Sequence, residues 1–240
     1  MTTSVPTVVL VHGAFADAAS WSGVIVELRG HHGIAVMAPP NPLRGLAADA
    51  AYVASVASQI DGPVVLVGHS YGGALITVAG TADNVVGLVY VATYVLEEGE
   101  SLGELQGRFP ASPLVSNLKQ WTYPVADGAP AVKVTIAEEV FPSVFAADVP
   151  AEVTKVLAAA QRPLAAAAFG ETATAAAWKA KPSWALVAGT DQAINPEVER
   201  FTAKRAGATV VEIEGASHAV AVSRPKEVAD LIREAVRATS

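Results

Sequence analysis

Short apolar runs rich in β-branched residues punctuate the first part of the chain, at residues 7–11, 34–38, 63–67 and 85–91. A run that stays apolar without alternating predicts a strand covered on both faces, the environment of a parallel sheet. The intervals keep a different rhythm. Leu46, Ala50, Val53, Ala57 and Ile60 recur at helical spacing, which predicts a helix over 46–60. Helices are also expected over 20–28 and, despite its glycines, over 72–81. Strand, helix and strand in repetition is the pattern of βαβ units, whose right-handed crossovers build a parallel sheet.

The rhythm stops after Tyr94. From 96 to 181 prolines are frequent, aromatics are dispersed and alanine-rich helical stretches appear. A structureless loop of that length does not fit a compact domain. The segment 96–181 is therefore expected to be a small, mostly helical cap inserted over the sheet. The alternation then resumes with strands at Ser183–Ala188 and Thr209–Ile213. Asn195-Pro196-Glu197 is a helix start: a capping side chain, a preorganised proline and an acid suited to the dipole. A last helix begins near Ser223-Arg224-Pro225, with Val228, Leu231, Ile232, Ala235 and Val236 in one apolar stripe. The expected architecture is α/β: a mainly parallel sheet of about six strands flanked by helices. Its core comprises 1–95 and 182–240, and 96–181 is the cap.

Composition narrows the classes. A chain of 240 residues suits one such domain. With 52% hydrophobic and 16% charged residues, disorder is excluded. A net charge of −7 with scattered Lys and Arg argues against nucleic acid or an anionic membrane as partner. The absence of cysteine removes disulfides, thiolate metal sites and cysteine nucleophiles together. No apolar stretch of ~18 residues predicts a membrane span. Residues 1–6 lack the basic and apolar parts of a secretory leader, so a cytoplasmic location is expected.

The chemistry centres on Gly68-His69-Ser70-Tyr71-Gly72-Gly73, which follows a predicted strand and precedes a predicted helix. In that context G-x-S-x-G describes a sharp turn that projects a serine Oγ above the sheet edge, with flanking glycines avoiding collisions. The plainer alternative is a glycine-rich turn with an incidental serine. As nucleophile, Ser70 needs a base. Of the five histidines, His31 and His32 fall in a polar loop and are expected to be solvated. His69 should point away from Oγ, and His12 is expected to be structural. His218 lies in Gly215-Ala216-Ser217-His218, beyond the last strand, where catalytic groups gather in open α/β sheets. His218 is the expected base. Asp191 follows the strand at 183–188 and completes the order Ser, Asp, His; Glu97 and Glu98 are the alternative acids. An oxyanion hole would take the N–H groups of Tyr71 and Ala14, with Phe15 as the alternative to Ala14.

The set His12-Gly13, Gly68-His69-Ser70-Tyr71-Gly72, Asp191 and His218 resembles the α/β-hydrolase superfamily over nearly the whole chain. More narrowly, Val11-His12-Gly13-Ala14 with Trp21, and Ser217 through Pro225, are similar to small bacterial esterases akin to the plant methylesterase and hydroxynitrile lyase branch. The resemblance implies a cap that roofs the substrate pocket and no need of metal or organic cofactor. The lyases of that branch carry threonine where Gly13 stands and lysine where Ala219 stands. Both departures point to ester hydrolysis. The expected activity is therefore a carboxylesterase-type serine hydrolase for small, largely apolar esters. Substrate contacts are expected at Phe15, Trp121 and Tyr123, with ordinary packing as the alternative for the last two. The expected partner is a small-molecule ester, and a homodimer stays open. Rival readings are thioesterase, perhydrolase or C–C and cyanohydrin lyase chemistry on the same triad, and a non-catalytic small-molecule receptor.

Overall fold

A computed structural model describes residues 4–32, 34–125 and 128–240. The leader reading at Met1 to Thr3 and the side chains of His31 and His32 lie outside the described residues. Six parallel strands form the main sheet: β1 (Thr7–Val11), β2 (Val36–Met37), β3 (Val64–Ser70), β4 (Val85–Thr93), β8 (Ser183–Ala188) and β9 (Thr209–Ile213). Their order is β2-β1-β3-β4-β8-β9. The chain moves outward from β1 to β2, then returns across β1 to β3. This reversal leaves a crevice beyond the carboxyl ends of β1 and β3, the place where α/β sheets bind ligands.

Helices cover both faces, which explains the unbroken apolar strands. On one face Val8 and Leu10 of β1 pack with Trp21, Leu28 and Val228. On the other, Val9 and Val11 pack with Val53 and Leu75. The first face is served by α1 (Ser22–His32), the short α8 (Val220–Ser223) and α9 (Pro225–Ala238), the second by α2 (Leu46–Ser58) and α3 (Tyr71–Ala79). His31 and His32, expected in a loop, close α1 instead. The predicted strand at 34–38 shortens to two residues at the sheet edge, where pairing comes from β1 alone. The helix predicted at 195–197 forms as α7 (Pro196–Arg205), with Asn195 Oδ1 accepting from Glu197 N at 3.0 Å.

Residues 96–181 leave the sheet between β4 and β8. They contain α4 (Leu102–Gln106), α5 (Phe141–Phe145) and α6 (Ala151–Ala159). They also contain a three-stranded antiparallel sheet of β5 (Leu118–Tyr123), β6 (Ala131–Ile136) and β7 (Leu164–Ala165), which the sequence pattern did not announce. β5 is mostly exposed, so it lacks the apolar run that marks a buried strand. Leu102, Val134, Ile136 and Phe141 belong to the same buried cluster as Leu66 of β3 and Leu75 of α3. Arg205 of α7 ties the segment down further, reaching Glu100 at 2.7 and 3.1 Å and the carbonyl of Val95 at 2.6 Å.

Candidate active site

The turn at Ser70 is built by its glycines and by strain. Ser70 has φ 53° and ψ −126°, outside the regions open to ordinary residues. A Cβ on Gly68 would lie 2.5 Å from the Gly72 carbonyl oxygen, and one on Gly72 would strike the carbonyl of Val11. Thr93 at the end of β4 donates its hydroxyl to the Ser70 carbonyl, holding the turn from the neighbouring strand. The strand therefore runs straight into α3, and Tyr71 is the first residue of that helix, with an amide free of the helical ladder.

His218 and Asp191 come from adjacent loops, after β9 and β8. His218 Nδ1 donates to Asp191 Oδ2 at 2.5 Å, with both side chains buried. The other carboxylate oxygen accepts from the amides of Ala193 at 2.7 Å and Ile194 at 2.9 Å. Donation from Nδ1 leaves Nε2 as the basic nitrogen of the neutral ring. Ser70 and His218 line the same small chamber, together with Ala14, Phe15 and Tyr71. No hydrogen bond joins Ser70 to His218 among the described residues; such contacts often tighten only with substrate. Glu97 and Glu98 do not enter the chamber. Glu97 pairs with Lys179 and Glu98 is exposed.

The two candidate oxyanion donors separate clearly. Phe15 N donates to the carbonyl of Arg162 at 3.0 Å, so that amide is committed. Ala14 N makes no hydrogen bond among the described residues, and Ala14 lines the chamber beside Tyr71. Gly13 packs against the serine itself: a Cβ there would sit 2.6 Å from Ser70 Cβ.

His12 and His69 are structural. His12 Nε2 accepts from Asn41 N at 2.8 Å and its Nδ1 donates to the Gly13 carbonyl, while burial lowers its pKa. His69 does not line the chamber; its ring packs 4.7 Å from that of His218 and its Nε2 donates to the His218 carbonyl at 2.8 Å. Burial pushes His69 down to about 3, so it stays neutral.

Trp121 and Tyr123 are not brought to Ser70. Trp121 lies 53% exposed on β5 and donates to Thr135 Oγ1 at 2.8 Å. Tyr123 borders a separate surface cavity with Arg44, Lys133 and Arg162. Neither residue lines the chamber that holds Ser70. They stand on the face of the hairpin opposite Val134 and Ile136, the residues that pack into the core. The chamber walls instead include Tyr94, Leu102, Leu114, Leu164, Phe169 and Ile194. Of these, only Leu102 carried a local signal: Ser101 and Glu104 form a capping box that fixes the start of α4. Beneath Asp191, Glu199 of α7 is buried and accepts from Ala188 N at 3.0 Å. Burial, and then the neighbouring Asp191 carboxylate, raise the Glu199 pKa well above the ordinary value. Among the described residues no group of His, Asp and Glu is placed to hold a metal ion, and no helix is long and apolar enough to cross a membrane.

The model of the alpha/beta hydrolase family matches residues 8–231. The chain belongs to that family. Solved structures of three members of this fold align along nearly their full lengths. Polyneuridine aldehyde esterase is 20% identical, with 96% of this chain and 99% of that one covered and a TM-score of 0.79. A pyrethroid hydrolase from Sphingobium faniae JZ-2 is 23% identical, covering 98% of each chain, with a TM-score of 0.76. A methylesterase from Arabidopsis is 18% identical, covering 97% of this chain and 99% of that one, with a TM-score of 0.76. At these identities the likeness shows the fold alone. A search of curated proteins gives no match.

Proposed function

We propose that this hydrolase cleaves carboxylic esters of small, largely apolar molecules by serine acyl transfer. The observation that carries the reading is the 2.5 Å contact of His218 with Asp191 at a chamber shared by Ser70 and two uncommitted amides. His218 Nε2 removes the proton from Ser70 Oγ as Oγ attacks the ester carbonyl. The amides of Ala14 and Tyr71 hold the oxyanion, with the α3 N-terminus adding its dipole. Asp191 keeps the Nδ1–H tautomer and stabilises the imidazolium. His218 then protonates the leaving alcohol, the C–O bond breaks, and water attacks the acyl-enzyme with the same histidine as base.

Gly13 and Ala219 favour hydrolysis over cyanohydrin cleavage. A threonine side chain at 13 would collide with Ser70 Cβ, and Ala219 is buried with its amide donating to Phe145 O at 2.8 Å. Ser70→Ala is expected to lower turnover of p-nitrophenyl acetate by at least about a thousandfold, and to abolish the adduct with a fluorophosphonate. Undiminished turnover in that variant would remove Ser70 from the reaction.

A further inference from the structure

Two cavities meet at Phe169. The inner chamber, with Ser70 and His218, has a volume of ≈ 20 Å³. That is room for about one water molecule, not for an ester. The outer cavity has ≈ 500 Å³, within the usual size of small-molecule sites. Phe169 lines both. So do consecutive residues in three segments: Leu102 lines the inner space and Gly103 the outer, and Leu114 with Val115 and Ile194 with Asn195 repeat the arrangement. Gln106 of the outer wall donates to the Tyr94 hydroxyl of the inner wall. The partition is one residue thick.

The outer cavity has the chemistry of an apolar site. Phe109, Pro110, Leu118, Phe169 and Val198 supply much of its wall, and no charged side chain lines it among the described residues. Its polar side chains are already engaged by the protein. Ser112 donates to the Ala193 carbonyl at 2.8 Å, and Asn195 donates to the Pro110 carbonyl at 3.0 Å. A charged substituent entering here would lose its hydration without a partner.

We propose that the outer cavity takes the larger apolar substituent of the ester, and that rotation of the Phe169 ring opens the way to Ser70. This rests on the esterase reading above. The ring is the mobile part because the backbone around it is pinned. Gly99 N donates to Ala173 O at 2.8 Å and Ala173 N to Glu100 O at 3.0 Å. Gly103 packs so closely that a Cβ there would lie 3.1 Å from the Phe169 carbonyl oxygen. The small substituent and the scissile carbonyl occupy the inner chamber, and the long one lies beyond the partition.

The test compares two ester series, p-nitrophenyl acetate to decanoate and ethyl to decyl acetate, on the wild type and on Val115→Trp and Phe169→Ala. Val115 is an exposed rim residue, so its substitution leaves the core intact. In the wild type kcat/KM rises along one series by up to about threefold per methylene, and the series that rises assigns the acyl or the alcohol side to the cavity. Val115→Trp lowers the long-to-short ratio about tenfold by filling the site, and Phe169→Ala raises it about fivefold by removing the ring. Ratios within about twofold of wild type in both variants, with acetate turnover still dependent on Ser70, overturn the cavity assignment alone. Acetate turnover that survives Ser70→Ala overturns the esterase reading, and the assignment with it.

Discussion

At the scale of single residues, environment rather than type sets each role. Three carboxylates were candidates for the acid, and their surroundings separate them. Asp191 is buried and accepts three hydrogen bonds, one from His218 and two from backbone amides. Glu97 holds Lys179 at the surface. Asp191→Asn is expected to lower kcat on p-nitrophenyl acetate by about 10³–10⁴-fold, because the amide favours the wrong imidazole tautomer. Glu97→Gln should stay within about twofold of wild type, since the pair it breaks is solvent-exposed. Equal losses in the two variants would reverse the assignment of the acid. The two candidate amides at the β1 loop separate in the same way: only a tertiary contact, Phe15 N to Arg162 O, commits one of them.

At the scale of elements, the elbow is where strand, turn and helix must agree. β3 runs into α3 without a connecting residue, and the crossing of α3 over β1 brings Gly72 against the Val11 carbonyl. The obstruction is backbone, so it cannot rotate away. Gly72→Ala should therefore lower stability by about 2 kcal/mol or more in urea denaturation and reduce turnover in parallel. A variant as stable as wild type would mean that β1 and α3 can separate. The elbow glycines were legible as a motif because their spacing is local. The hairpin of β5 and β6 was not, because neither strand is buried on both faces and its pattern resembles that of a loop.

At the scale of the whole molecule, burial of titratable groups couples stability to pH. Glu199 lies under the Asp191 loop with its pKa raised well above 4.5 by burial first and by Asp191 second. The folded chain therefore keeps a proton that the unfolded chain releases. Stability from this group is full below 4.5 and is lost as pH rises toward the raised value. Glu199→Gln removes that dependence. The Tm difference, variant minus wild type, should grow as pH rises above 4.5. A constant difference would place the Glu199 pKa at its ordinary value. His69 acts in the opposite sense. Its pKa near 3 means that the unfolded chain gains a proton the folded chain refuses, so stability falls as pH drops below 6.5.

The sequence by itself determined the parallel α/β sheet, because strands buried on both faces must be continuously apolar. It also determined the local geometry at Ser70, because a turn that sharp admits few side chains. Contacts between residues far apart in the chain were decided only in three dimensions. His218 and Asp191 are 27 positions apart and meet because β8 and β9 pair side by side, with the His69 side chain donating to the His218 carbonyl across the sheet edge. Much of the chamber wall comes from residues 94 to 194, where no local period marks which apolar side chain faces Ser70. Trp121 and Tyr123 carried the composition of a binding site, but they stand on the hairpin face opposite the core-packed Val134 and Ile136. Phe169, an ordinary aromatic in an alanine-rich stretch, stands between the two cavities instead.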